Sequence, residues 1–311
     1  MIGGVPGVVL LYYGAEGLVR GGVAIARRFG VSPLLIGLTL VALGTSTPEL
    51  VVSIDAALCG SGDISVGNVV GSNICNIALI LGLCAVVAPL TVHPVLLKRE
   101  MPLLVVISLV FGVVVYLSGG VGRIAGTAFL LVLFLYLYYS FRHSSGISEE
   151  AREQLAGRLL KLPVALLLTA AGIIGLIIGA RLFVSGAVAA ARMIGVSEAV
   201  IGLTVVALGT SLPELATSLV ASLRRQNDIA VGNVVGSNLL NILVIMGISP
   251  LLRPILAPGI ELVDLVMMIF LTLILWPFMA TGRRISRCEG GFLLLVYAGY
   301  CAWLFVSGPG A

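Results

Sequence analysis

The chain has 311 residues, of which 59% are hydrophobic and only 10% are charged, and its mean hydropathy is +1.17. Soluble globular domains carry roughly 25% charged residues, so these values exclude an ordinary soluble protein and predict that most of the chain lies in lipid. The formal net charge of +4 reflects the orientation of the chain in a membrane, and we expect no nucleic-acid partner.

Ten apolar stretches are long enough to cross a bilayer as helices, which takes about 20 residues. In chain order they are 2–19, 31–57, 65–90, 101–117, 124–141, 163–182, 196–222, 230–250, 262–280 and 291–307. The run 178–195 is interrupted by glycines and an arginine and stays ambiguous. The longest polar segment predicts a cytoplasmic linker at 142–161 between two five-helix halves, 1–141 and 162–311.

The positive charges predict the orientation of the spans. The first stretch has no Lys or Arg before it, whereas Arg20, Arg27 and Arg28 follow it. This order is the reverse of a secretory signal, so we expect an uncleaved span with its N-terminus outside. Ten spans then put fourteen Lys and Arg in inside loops and four in outside loops, in agreement with the positive-inside rule, and leave both termini outside.

An internal repeat relates the two halves. Residues 37–83 align without a gap on 202–248, at a constant offset of 165, and 29 of the 47 positions are identical. The copies begin in the second and seventh predicted spans, so an odd number of spans separates them and they enter the membrane from opposite faces. The sequence therefore predicts two inverted repeats, with a site near the midplane between broken helices of both halves.

Each copy carries a helix-breaking segment midway along a span. Gly44 and Pro48 lie in the second span, and Gly209 and Pro213 lie in the seventh. Proline removes a backbone donor and clashes with the preceding turn. Because lipid offers no hydrogen bonds, the carbonyls released there need protein, water or an ion as a partner.

Glu49 and Glu214 follow these prolines at matched positions. A charge at such a depth costs at least ~2.5 kcal/mol on insertion scales. The alternative, two protonated glutamates that only join helices, is disfavoured because no Lys or Arg lies at comparable depth and the neighbouring side chains carry oxygen. The neighbours are Thr45, Ser46, Ser72, Asn76, Thr210, Ser211, Ser237 and Asn241.

An all-oxygen set of this kind suits Ca²⁺ or Na⁺, whereas the repeated motifs offer no His or Cys for zinc or copper. Two negative charges are neutralised by one Ca²⁺ or by two Na⁺, so the two ions should compete and exchange. We expect a transporter and not an enzyme, with Ca²⁺, Na⁺ and the lipid bilayer as partners. We expect no cofactor and no obligate protein partner.

The blocks G-T-S-T-P-E-L with G-N-V-V-G-S-N-I-C-N, and G-T-S-L-P-E-L with G-N-V-V-G-S-N-L-L-N, resemble the α-repeats of the sodium/calcium exchangers in the cation/calcium antiporter superfamily. The likeness covers essentially the whole chain and is closest to the short prokaryotic members. It implies an all-α protein of ten transmembrane helices in a prokaryotic inner membrane. It also implies alternating access, with the first and sixth spans sliding against the other eight.

The resemblance also implies a set of ligands. The central Ca²⁺ site takes Glu49 and Glu214 with the carbonyls of Thr45 and Thr210. The flanking Na⁺ sites take the carbonyls of Ala42 and Ala207 with Ser46, Ser211, Ser72 and Ser237. Asn76 matches a polar ligand at the midplane, and its counterpart Asn241 stands where some prokaryotic and K⁺-dependent members carry aspartate.

Several alternatives remain open on the sequence. A proton-coupled exchanger is the runner-up, although that branch usually has Gly-Asn in place of Gly-Thr-Ser before its glutamate, and Asn241 weakens a K⁺-dependent reading. A channel would conduct without a counter-ion gradient. An intramembrane aspartyl protease is disfavoured because neither core position is an aspartate.

Two smaller expectations concern acids outside the repeated glutamates. Glu16 should pair with Arg20 one turn further along a helix. Asp63 and Asp228 precede apolar runs and should be helix N-caps.

Overall fold

The chain folds into a bundle of helices, and the computed structural model describes residues 4–143, 160–193 and 207–307. The helices are α1 (Gly4–Phe29), α2 (Pro33–Thr45), α3 (Thr47–Cys59), α4 (Gly62–Val87), α5 (Leu96–Ser118), α6 (Arg123–Arg142), α7 (Leu162–Met193), α8 (Ala207–Gly209), α9 (Leu212–Leu223), α10 (Asn227–Leu252), α11 (Leu262–Ala280) and α12 (Arg287–Ser307). The strands are β1 (Leu90–Thr91), β2 (Gly120–Val121), β3 (Ile255–Leu256) and β4 (Arg284–Ile285).

Seven of the described helices are long and apolar enough to cross a membrane, and an eighth span is counted when the bent pair α2 and α3 is taken as one. The protein is therefore a helical membrane protein, as its composition predicts. Much of the predicted seventh span (196–222) and most of the predicted linker (142–161) lie outside the described residues.

Two predicted span boundaries are wrong by about three turns. α1 continues to Phe29 instead of ending at 19, and α7 continues to Met193 instead of ending at 182. Arg20 and Arg181, which the topology count placed in loops, therefore lie within helices. The apolar pattern stops where arginines begin, but a long arginine side chain reaches polar surroundings while its backbone stays helical.

The predicted N-caps are also wrong. Ser61 precedes the helix that contains Asp63, and Gln226 precedes the helix that contains Asp228, so both aspartates lie in the first turn instead. Their negative charge still faces the favourable end of the helix dipole. Asp63 also accepts a hydrogen bond at 2.7 Å from the backbone N–H of Gly259, which ties the start of α4 to the loop before α11.

The second span is broken in its middle, as the sequence predicts. α2 and α3 meet at an angle of 49°, and Ser46 between them has φ −79° and ψ 6°. Pro48 lies in the first turn of α3, where a backbone N–H is not needed. α9 begins in the same way, with Ser211 at φ −85° and ψ 4° and with Pro213 in its first turn. Each break creates a helix N-terminus in the interior of the protein.

α4 and α10 form the centre of the bundle. In the most apolar stretch of each helix, 78% of the residues of α4 and 94% of those of α10 are buried. The corresponding share is 28% in α6 and in α7. Close packing at the centre depends on glycine, because a methyl group on Gly236 of α10 would lie 2.6 Å from the carbonyl oxygen of Leu38 in α2. Glycine at such contacts lets helix backbones approach closely in lipid, where packing replaces the hydrophobic effect.

Two short antiparallel ladders connect the halves. Leu90 in β1 pairs with Ile285 in β4, and Val121 in β2 pairs with Ile255 in β3. Leu90 and Ile255 are 165 positions apart, which is the offset of the sequence repeat. Each ladder therefore joins a strand of one half to a strand of the other.

α1 and α7 pack against each other along a glycine seam. A methyl group on Gly14 would lie 2.8 Å from the backbone nitrogen of Leu176 and 2.9 Å from the carbonyl oxygen of Gly172. One on Gly7 would lie 2.9 Å from the carbonyl oxygen of Gly179. The positions that face each other, Gly7 with Gly179 and Gly14 with Gly172, show that α1 and α7 are antiparallel. Their backbones lie close together, so the two helices form one unit.

The seam predicts opposite effects for two glycine substitutions within helices. Gly14→Ala should destabilise the protein by about 1–3 kcal/mol, because the neighbouring atoms are backbone and cannot turn away. Gly299→Ala in α12 is the matched control, since nothing lies within 4 Å of its added methyl group and alanine favours helix by about 1 kcal/mol. Thermal unfolding in detergent checks both, and equal midpoints for the two variants would contradict the seam.

Candidate ion-binding site

The two repeated glutamates are completely buried. Glu49 lies in the first turn of α3 and Glu214 lies in the first turn of α9, and each has 0% exposure. The positive end of the helix dipole and the free N–H groups of a first turn favour a negative charge. The two helix breaks therefore give each carboxylate a favourable backbone environment within an apolar protein.

Reciprocal hydrogen bonds bring the two breaks face to face. Ser46 donates from Oγ to Oε1 of Glu214 at 2.8 Å, and Ser211 donates from Oγ to Oε1 of Glu49 at 3.1 Å. Ser237 on α10 adds a longer contact to Glu214 Oε1 at 3.5 Å. The serine of each half thus binds the glutamate of the other half, at positions that the repeat makes equivalent.

Four asparagines join α4 and α10 beside the glutamates. Asn73 and Asn238 donate to each other's backbone carbonyl at 3.4 and 3.3 Å. Asn76 donates to Oδ1 of Asn238 at 2.9 Å, and Asn241 donates to Oδ1 of Asn73 at 3.1 Å. These hydrogen bonds fix the amide nitrogens of Asn76 and Asn241 against the opposite helix. The amide oxygens of the two side chains take no part in these bonds. Both residues begin a π-helical turn, a local widening that is frequent at functional sites.

Four buried oxygens at equivalent positions of the two halves have no hydrogen-bond donor among the described residues. They are Oε2 of Glu49, Oε2 of Glu214, Oδ1 of Asn76 and Oδ1 of Asn241. Each of these residues is at most 1% exposed. An unpaired buried acceptor costs about 1–3 kcal/mol, and a charged one costs more. A cation that coordinates these oxygens removes that cost.

The hydrogen bonds also connect these oxygens in space. Asn241 lies one turn after Ser237, which contacts Glu214, and it donates to Ser72 Oγ at 3.0 Å. Ser72 lies one turn before Asn76 on the same face of α4. The predicted donors on α4 and α10 therefore lie beside the glutamates, although Ser72 and Ser237 do not make equivalent contacts.

The remaining predicted ligands lie on the two broken helices. Thr45 is fully buried, and its hydroxyl has two acceptors within reach of its one hydrogen, Ala42 O at 3.2 Å and Asn233 Oδ1 at 3.1 Å. The Ala42 carbonyl also accepts from the backbone N–H of Ser46 at 2.9 Å. Thr210 lies between α8 and α9, and the backbone of Ala207 begins α8.

A second pair of asparagines, which the sequence pattern did not predict, supports the glutamates. Asn68 donates to the Glu49 carbonyl at 3.1 Å and to Ser53 Oγ at 2.9 Å. Asn233 does the same for Glu214, at 3.5 Å, and for Ser218, at 3.0 Å. Both belong to the repeated Gly-Asn-Val-Val-Gly-Ser-Asn block. The same residue type at this position of both copies is the sequence feature that could have revealed them.

The chemistry of the site is that of hard oxygen ligands. Within the ranges that the structure describes, no group of three or more His, Cys, Asp or Glu side chains is placed to hold a metal. Among the described residues, the anionic part of the candidate site consists of the two glutamates, and neutral oxygens supply the rest. Buried acids at helix breaks in a membrane bundle are typical of ion-transport proteins.

Comparison with known proteins identifies the family. The family model for the sodium/calcium exchanger protein matches residues 2–142 and 164–306, so the chain belongs to the sodium/calcium exchanger family, as its paired motifs predict. Inner membrane protein YrbG of Escherichia coli (strain K12) is 38% identical over 96% of this chain and 94% of YrbG. Sodium/calcium exchanger MaX1 of Methanosarcina acetivorans is 33% identical over 96% of each chain. A solved structure of the sodium-calcium exchanger NCX_Mj matches with a TM-score of 0.84 and 34% identity over 97% of each chain.

The reciprocal contacts predict paired effects on ion binding. Ser46→Ala and Ser211→Ala each remove a hydrogen bond to a carboxylate, worth about 1.5–3 kcal/mol. We expect each to weaken Ca²⁺ and Na⁺ binding about tenfold or more, measured by calorimetry on the purified protein. Ser108→Ala is the control, because Ser108 is buried and its hydroxyl has no partner among the described residues. Unchanged binding in both site variants would exclude these serines from the site.

Proposed function

We propose that this chain is a secondary antiporter that exchanges Ca²⁺ for Na⁺. The observation that carries the proposal is the set of four oxygens without a hydrogen-bond donor in the described part of the chain. Two belong to carboxylates and two to amides, and they are buried at equivalent positions of the two halves. Family membership supports the choice of ions, because MaX1 and NCX_Mj are both named sodium/calcium exchangers.

The ion site that we infer uses side-chain and main-chain oxygens of both halves. Its residues are Glu49, Glu214, Thr45, Thr210, Ser46, Ser211, Ala42, Ala207, Ser72, Ser237, Asn76 and Asn241. Calcium takes six to eight oxygen ligands in flexible geometry, which a set of this size supplies. Asn68 and Asn233 position the first turns of α3 and α9 by donating to the backbone carbonyls of Glu49 and Glu214.

Charge balance couples the two ion fluxes. With Glu49 and Glu214 ionised, the site has two negative charges, which one Ca²⁺ or two Na⁺ neutralise. A neutralised site passes apolar surroundings at low cost, whereas an empty site with two bare carboxylates does not. The protein therefore changes conformation only with one ion set bound, and this restriction makes transport an exchange.

We infer ten spans arranged as two inverted five-helix repeats, 1–141 and 162–311, joined by a cytoplasmic linker at 142–161. The reciprocal serine–glutamate bonds, the paired amides of Asn73 and Asn238, and the two cross-half ladders support this symmetry. The charge bias supports outside termini. The name of the relative YrbG, an inner membrane protein, supports a prokaryotic inner membrane as the location.

The transport mechanism that we infer is alternating access, in which α1 and α7 move together past the rest of the bundle. The glycine seam supports a common motion, since backbones in direct contact along most of two helices do not separate easily. The remaining helices stay together around α4 and α10, which carry the asparagines. Sliding of the pair then exposes the site first to one face of the membrane and then to the other.

Counter-ion dependence tests the exchange. Purified full-length protein in proteoliposomes should take up radioactive Ca²⁺ when the lumen contains Na⁺, and uptake should cease when Na⁺ is equal on both sides. Vesicles loaded with K⁺ alone, or acidified inside without Na⁺, should remain inactive. Uptake driven by the proton gradient and not by Na⁺ would overturn the proposal in favour of a proton-coupled exchanger. Ca²⁺ uptake without a gradient of Na⁺ or protons would indicate a channel.

The charge of the two glutamates should be indispensable. Glu49→Gln and Glu214→Gln each leave one negative charge, which no longer balances Ca²⁺, so each should reduce Na⁺-driven uptake to the background of empty vesicles. Asp55→Asn in α3 is the matched control, since Asp55 is an exposed acid of the same helix and its variant should retain activity. Robust uptake by either glutamine variant, with correct insertion verified, would remove the shared-site model.

A further inference from the structure

A polar cavity lies away from the candidate ion site, at the C-terminal end of α1. Its volume is about 380 Å³. Its polar lining is Arg20, Arg27, Arg224 and Gln226, and we call it the arginine cavity; Val19, Val23, Ala24, Leu160 and Leu168 form its apolar walls. Three guanidinium groups from two different helices therefore surround one space.

The arginine cavity has excess positive charge. Arg20 and Arg27 are two turns apart on one face of α1, and Arg224 directly follows the last residue of α9. Glu16 forms ion pairs with both Arg20 and Arg224, as the sequence predicts for Arg20. Among the described residues Glu16 is the one carboxylate paired with these arginines, so two of the three positive charges have no paired carboxylate there.

Arg27 is the arginine that Glu16 does not contact. Its Nε is buried and has no hydrogen-bond partner among the described residues. A guanidinium group with a buried, unused donor is costly in the absence of a ligand. A guanidinium group can bind a phosphate group through two parallel hydrogen bonds, in a bidentate contact. An unused donor on Arg27, beside two further arginines, suits such a contact.

The repeat does not account for the whole set. The positions equivalent to Glu16, Arg20 and Arg224 in the other half are Arg181, Ser185 and Cys59, whereas the position equivalent to Arg27 is Arg192. The second half therefore repeats one of the three arginines and lacks the other two and their glutamate. The positive-inside rule accounts for many arginines at one membrane face. It does not account for three that line one cavity.

We propose that the arginine cavity binds a phosphate group. Basic pockets between membrane helices bind phosphorylated lipid headgroups, and the apolar walls suit the glycerol and upper acyl carbons of such a lipid. A free phosphate ion has the same chemistry and fits the same donors. The site is separate from Glu49 and Glu214, so its ligand does not compete directly with the exchanged cations.

Occupancy of the arginine cavity connects parts that move relative to each other in the exchange proposed above. A phosphate held by Arg27 on α1 and by Arg224 at the end of α9 joins the sliding pair to the rest of the bundle. The bound anion stabilises this conformation and slows exchange. This consequence for transport rests on the proposed function, whereas the binding itself does not.

Direct binding tests the site on the purified full-length protein. Calorimetry with soluble dihexanoyl phosphatidylglycerol, with inorganic phosphate and with dihexanoyl phosphatidylcholine as the zwitterionic control separates the sources. We expect saturable binding of at least one of the first two, and binding about tenfold weaker in Arg27→Gln because one charge-assisted contact is lost. Arg28→Gln is the matched control: it removes the same charge from the neighbouring residue, which does not line the cavity.

Binding of phosphatidylglycerol alone assigns the cavity to a lipid headgroup, and binding of inorganic phosphate assigns it to free phosphate. Absence of binding by both, or equal losses in Arg27→Gln and Arg28→Gln, would overturn the site. Arg224→Gln supplies an independent variant if Arg27→Gln does not fold. Because calorimetry needs no cation gradient, a negative result leaves the exchange assays unaffected.

Discussion

The contact on which the rest of this structure depends is the pair of hydrogen bonds that Ser46 and Ser211 donate to the glutamates of the opposite half. Two carboxylates at 0% exposure repel each other in a medium of low dielectric, where charges interact strongly. The protein keeps them there with hydroxyl donors and with helix N-termini placed beside them. These arrangements stabilise negative charge without neutralising it, and in the exchange proposed above a cation completes the neutralisation.

The broken helices and the asparagine cluster follow from that requirement. A straight helix has no free N–H groups in its middle, so each glutamate needs a break just before it, and Pro48 and Pro213 fit the first turn that the break creates. The amide nitrogens of Asn76 and Asn241 donate to the opposite helix, which fixes the direction of the side chains. In the proposed ion site, amides fixed in this way would present their oxygens without rearrangement when an ion arrives, and such preorganisation lowers the free-energy cost of binding.

The sequence predicted the parts of the candidate site that the repeat marks and that chemistry explains. Glu49 and Glu214 were recognisable because an acid inside an apolar membrane segment is costly and is typical of a functional site. The hydroxyl and amide side chains were recognisable because they recur at the same offset of 165. Asn68 and Asn233 were missed because their role is to hold a backbone carbonyl and a serine, a three-dimensional contact that spacing does not reveal. The ends of α1 and α7 were misplaced because hydropathy marks where side chains become polar, whereas the helix ends where the backbone hydrogen bonds stop.

The repeat is symmetric in its interior and asymmetric at its ends, and this difference has an energetic consequence. Two identical inverted halves would make the two conformations of an exchange cycle equivalent, with equal free energies. Here Glu16 pairs with Arg224, whereas the equivalent positions hold Arg181 and Cys59 and offer no such pair. Arg225 also adopts a left-handed conformation (φ 59°) where the other half has Gly60, which costs about 1–2 kcal/mol for a residue with a side chain. In the exchange cycle proposed above, contacts and strain confined to one end would change the free energy of one conformation and not of the other. The proposal thus assigns the resting equilibrium to these peripheral residues and the choice of ions to the interior residues.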